Sequence, residues 1–70
     1  MSLTPRQQAI ATLVLRGHGN AAIADALQKR YPGLTPRTVR SECFTISRMY
    51  PGSLPARQRI VMYYPHKEAP

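Results

Sequence analysis

The stretch LTPRTVRSECFTISRMY, residues 34–50, decides how this chain reads. Thr35 has a side-chain oxygen that can accept from the free backbone N–H groups at a helix start. Pro36 suits the first helical position, where its missing N–H is not needed. From there Val39, Cys43, Ile46 and Tyr50 fall at i, i+4, i+7 and i+11, which is one continuous helical face. Around that stripe lie Arg37, Arg40, Ser41, Phe44, Thr45 and Arg48. The spacing predicts a helix over 36–49 with one buried face and an arginine-rich remainder. A helix that reads the DNA major groove needs that combination. Pro51 and Gly52 follow and stop it.

The four residues LTPR also occur at 3–6. There Thr4 caps, Pro5 takes the first position, and Gln7, three residues after the cap, completes a capping box. Leu3 precedes the cap as a hydrophobic staple. Ile10, Leu13 and Val14 recur at helical spacing, Arg16 lies in the last turn and Gly17 ends the helix, predicted over 5–16. The residues after the two copies differ, so LTPR is one start signal used twice and not an internal repeat. Asn20 caps a second predicted helix, 20–30, whose buried stripe is Ile23, Ala24 and Leu27, with Tyr31 one turn on. Lys29 and Arg30 suit its C-terminus, and Tyr31-Pro32-Gly33 ends it. A fourth helix is expected over 54–64, with Pro55 in its first turn. It carries Ile60, Val61 and Tyr64, and the semi-apolar Met62 and Tyr63. That is more apolar surface than one face of a short helix buries. Pro65 is expected to end it, leaving 65–70 as a flexible tail. The fold class is therefore all-α, one four-helix domain over 1–64.

Ten Lys and Arg oppose three Asp and Glu, for a formal net charge of +7, and eight of the ten are Arg. Arginine makes planar two-pronged bonds to phosphate and to guanine, so a polyanionic partner is expected, most simply nucleic acid. The competing reading is a basic surface with no specific partner. Hydrophobic residues at 43% suffice for a small folded domain. Catalysis is not expected. Asp25, Glu42 and Glu68 are far apart, His18 and His66 lack metal-ligand spacing with Cys43, and no glycine-rich phosphate loop is present. No cofactor, metal or small-molecule ligand is anticipated, and Cys43 reads as a small core residue. One cysteine and no signal-like segment fit a reducing cytoplasm. The longest apolar run is too short to span a membrane.

From Leu3 to Tyr64 the chain resembles the LuxR/GerE-type (also called FixJ-type) helix-turn-helix domain of bacterial transcription regulators. That family opens LTxRE, continues with apolar positions and a glycine, then N-x-x-I-A-x-x-L. This chain has Leu3-Thr4-Pro5-Arg6, then Ile10, Leu13 and Val14, Gly17, and Asn20, Ile23, Ala24 and Leu27. The family's recognition helix opens S/T-x-x-T-V-K/R and runs to a buried Ile; here stand Thr35, Thr38, Val39, Arg40 and Ile46. The resemblance implies a helix-turn-helix made of the second and third helices, with the third in the major groove. It implies base reading by Arg40, Ser41 and Phe44, with Arg40 on guanine O6 and N7 and Phe44 on a thymine methyl. Backbone contacts would come from Thr35, Arg37, Thr38 and Arg48, with Lys29 and Arg30 at the edge of the site. Duller roles compete: Arg40 on phosphate alone, Phe44 in packing, Thr35 and Thr38 as caps, Arg6 and Arg16 as ordinary surface charge. Glu42 stands where the family has a histidine, and its carboxylate can accept from cytosine. The family's fourth helix implies a homodimer through Ile60, Val61, Tyr63 and Tyr64, reading an inverted repeat.

Two departures stand out. From Leu27 to Thr35 is a step of eight positions, against roughly three in the family the chain resembles, so about five residues are inserted between the two helices of the motif. The extra residues are expected as an extended second helix and a Tyr-Pro-Gly turn. Acidic positions of the family hold Gln7, Ala9 and Ala22. The family's receiver or ligand-sensing domain has no room upstream of the first cap, so a stand-alone regulator, of host, phage or mobile-element origin, is expected. The alternative is a small protein-interaction module that binds a transcription factor or an RNA polymerase subunit, with weak DNA binding. It draws on the insertion, Phe44, Glu42 and the C-terminal aromatics. RNA binding is a third option, weakened by the lack of an interleaved aromatic platform.

Overall fold

Both LTPR segments start helices. In the computed structural model, which describes residues 2–67, Thr4 Oγ1 accepts from the Gln7 N–H at 3.2 Å. The Thr4 N–H donates to Gln7 Oε1 at 3.0 Å. That reciprocal box opens α1, Pro5–Leu15, and buries Leu3 just before it. Arg16 caps the far end and lies one residue past the helix, contrary to the predicted limit. There Gly17, at φ +87°, adopts a left-handed conformation that side chains disfavour. Its N–H donates to the Val14 carbonyl at 3.0 Å and that of His18 to the Leu13 carbonyl at 3.1 Å. The pair of bonds forms a Schellman closure.

The second helix is shorter than expected. α2 spans Asn20–Ala26, and its N-cap is Gly19, with Asn20 already helical. Residues 27–33 are a chain of turns, in which the Tyr31 N–H donates to the Leu27 carbonyl at 2.9 Å and the Leu34 N–H to the Tyr31 carbonyl at 2.9 Å. The reason is burial. Gln28, Lys29 and Arg30 are all exposed, so prolonging the helix would bury nothing, and Pro32 disfavours helix at Tyr31. Turning instead returns Leu34 to the core.

Thr35 caps α3, Pro36–Ser47, by accepting from the Thr38 N–H at 3.2 Å. The helix ends two residues before the predicted Met49. Met49 and Tyr50 continue in a tighter turn, donating to the carbonyls of Ile46 and Ser47. α4 spans Ala56–Lys67, later at both ends than predicted. Pro65 lies inside it and does not end it, at the cost of one intrahelical bond. The expected tail at 65–70 is thus helical as far as Lys67, and 68–70 lie outside the described residues.

Among the described residues there are four helices and no strand. α3 packs against each of the other three. Its Val39, Cys43, Ile46 and, just beyond it, Tyr50 meet Ile10, Ala11 and Val14 of α1, Ile23 and Ala24 of α2, and Ile60 of α4 in one core. Among the described residues no helix is long and apolar enough to cross a membrane.

Candidate nucleic-acid interface

Because Val39, Cys43, Ile46 and Ser47 face the core, the opposite arc of α3 must face solvent. Arg37, Arg40, Ser41, Phe44, Thr45 and Arg48 are all exposed, and at 100° per residue they share one side of the helix. Phe44 is 51% exposed, and the Arg40 guanidinium lies 5.9 Å from its ring centroid. That places the cation within cation–π range and restrains Arg40 at the rim of the face. At the helix start, Thr35 and Thr38 hydroxyls lie 3.0 Å apart, so both serve the cap. Lys29 and Arg30 are exposed on the turns leading to α3. The Arg30 guanidinium lies 5.6 Å from the Tyr31 ring centroid.

The one carboxylate of α3 is turned away from this face. Glu42 Oε2 accepts from Arg6 Nε at 2.9 Å and from Arg6 Nη2 at 2.5 Å, and its side chain is 13% exposed. The expectation that Glu42 is available to a cytosine, and that Arg6 is plain surface charge, is corrected by this pair. A positive side chain in the first turn of α1 opposes the helix dipole, which was a local hint that Arg6 has a partner elsewhere. Replacing Arg6 with Ala should lower stability by about 1–2 kcal/mol, because it leaves a mostly buried carboxylate unpaired. Adding Glu42→Gln to that variant should recover part of the loss in urea unfolding. Strictly additive effects would show that the pair is not coupled.

Two more arginines fasten the fold, and sequence reasoning assigned neither. Arg57 of α4 donates through Nη1 to Asn20 Oδ1 at 3.0 Å and through Nη2 to the His18 carbonyl, tying α4 to the α1–α2 corner. Arg59 donates to the carbonyls of Leu54 at 2.8 Å, Ser47 at 3.3 Å and Tyr50 at 3.4 Å. It thereby satisfies acceptors near the negative end of α3. The cations left exposed include Arg16, Lys29, Arg30, Arg37, Arg40 and Arg48. Cys43 is buried; burial pushes its thiol up, against the opposing pull of the Arg57 charge. It packs as a small apolar residue.

The predicted dimer surface is only partly on the outside. Ile60 is fully buried in the core and no partner can reach it. Tyr63 is half-buried and stacks on Tyr50, with ring centroids 5.8 Å apart. Tyr64 is half-buried against the core. Val61 is exposed, and so is its neighbour Met62. The two line a shallow, mainly apolar depression with Val14, Gly17, Leu54, Arg57 and Gln58. Comparison of the chain with protein-family models, with curated proteins and with solved structures finds no match.

Proposed function

We propose that this chain binds double-stranded DNA sequence-specifically as a transcription regulator, with α2 and α3 as a helix-turn-helix and α3 in the major groove. The observation that carries the reading is the outer face of α3. It holds three exposed arginines and no exposed carboxylate, since Glu42 is tied to Arg6. In this reading Arg40, Ser41 and Phe44 meet base edges, while Arg37 and Arg48 hold phosphates. Lys29 and Arg30, on the inserted turns, add backbone contacts. The resemblance to the LuxR/GerE-type domain supports the same assignment. It also supports a homodimer, for which Val61 and Met62 are the accessible apolar residues of α4. The protein would act in the cytoplasm, where its single thiol stays reduced.

The reading is tested by measuring duplex affinity against salt. Three to five phosphate contacts should give log K against log salt a slope of about −3 to −5. Affinity that ignores salt, or no duplex binding, contradicts it. The exposed Phe44 favours a second reading, a module that docks on an RNA polymerase subunit or another regulator.

A further inference from the structure

We propose that the groove between α3 and the start of α4 is a second backbone site, which seats a sugar-phosphate unit of the DNA strand bordering α3. The proposal rests on the reading of α3 as the helix in the major groove. The groove measures about 340 Å³, and Arg40, Phe44, Pro55, Arg57 and Gln58 are among the residues that line it.

Three observations converge on that occupant. The first is charge. Among the described residues the lining holds two guanidinium groups, of Arg40 and Arg57, and no carboxylate. Arg6 has its charge matched by Glu42. Among the described residues Arg57 does not: its side-chain partners are the Asn20 amide oxygen, the His18 carbonyl and the Cys43 thiol, all neutral groups. A half-buried guanidinium without a counter-ion favours an anion beside it.

The second is continuity. Arg40 and Phe44 belong both to the groove and to the outer face of α3. An α-helix with its side chains is about 10–12 Å across, and the major groove is about 12 Å wide. A helix that enters the groove fills it, so whatever flanks that helix abuts the sugar-phosphate wall. The start of α4 is such a flank.

The third is the character of the surface. Pro55 and Ala56 give an apolar wall suited to a deoxyribose, while the Gln58 side chain is exposed and makes no hydrogen bond among the described residues. Its amide is free to donate to a phosphate oxygen. With Gln58 and Arg57 on the phosphate, Arg40 remains available to the bases.

Gln58 is the residue to change, because the fold does not use it. Gln58→Glu should weaken binding to every duplex about tenfold at roughly 0.1 M salt, with base preference unchanged. Gln58→Arg should tighten binding a few-fold and steepen the salt slope by about one. Ser2→Glu and Ser2→Arg make the same charge changes at an exposed residue outside the groove, and should move affinity far less. Thermal melting of each variant verifies that the fold is kept. If the Gln58 variants match the Ser2 variants while the wild type binds DNA with a steep salt slope, the groove site is refuted and the α3 reading stands. If the wild type binds no duplex, both fall together.

Discussion

Replacing Ile60 with Ala is expected to cost the domain about 2–5 kcal/mol, the range for truncating a large apolar side chain in a packed core. Ile60 has no exposed surface and sits in the core. A chain of this size holds roughly 4–10 kcal/mol in total, so the variant would unfold partly or wholly near body temperature. At about 4–8 °C per kcal/mol for small domains, the midpoint should fall by roughly ten degrees or more. The size of the drop also separates two roles. A core residue weakens the monomer, so the loss persists at every protein concentration. A dimer contact weakens association, so the loss shrinks on dilution. The structure predicts a concentration-independent drop, measured by thermal unfolding at two concentrations a hundredfold apart. Val61→Ser, at an exposed position beside it, should leave the monomer midpoint nearly unchanged.

The largest effect on binding is expected at Arg40. Under the proposed function, Arg40→Ala should cost about 1–3 kcal/mol toward the preferred duplex and relax preference at one base position. Its guanidinium is held at the edge of α3 by the Phe44 ring at 5.9 Å. Phe44→Ala should therefore also loosen the preference, by freeing the arginine as well as by losing its own contact. Arg37→Ala makes the informative contrast. Arg37 is exposed in the first turn of α3, where a phosphate contact is expected, and its loss should weaken all sequences alike and flatten the salt slope by about one. Affinity profiles across single-base variants of one duplex distinguish the two. If Arg40→Ala lowers every sequence equally, Arg40 is a backbone contact and the base reading assigned to it is wrong.

What was legible in the sequence was local. The caps at Thr4 and Thr35 depend on residues within three positions of each other, and both form as read. The inward stripe of α3 was clear, because polar residues separate its apolar ones. α4 was not, since Ile60, Val61, Met62, Tyr63 and Tyr64 run consecutively and their order does not say which faces inward. The structure selects Ile60, with Tyr63 and Tyr64 partly covered. α2 ends earlier than its sequence suggests, because Lys29 and Arg30 suit a helix C-terminus whereas tertiary burial of Leu34 favours turning sooner. The arginines divide by contacts that no local pattern carries. Arg6 meets Glu42 across 36 positions and Arg57 meets Asn20 across 37. Without those pairings the chain reads as uniformly basic. With them, part of its charge is spent on fastening helices, and α3 keeps an outer face free of exposed acid.

The most direct test of that face is selection from a random duplex pool by the purified protein at near-physiological salt, followed by sequencing. The expected result is enrichment of a short defined sequence that includes a guanine whose preference is lost in Arg40→Ala, arranged as an inverted repeat if the protein binds as a dimer. A pool that stays random after repeated rounds, despite salt-sensitive general binding, would contradict base reading by α3.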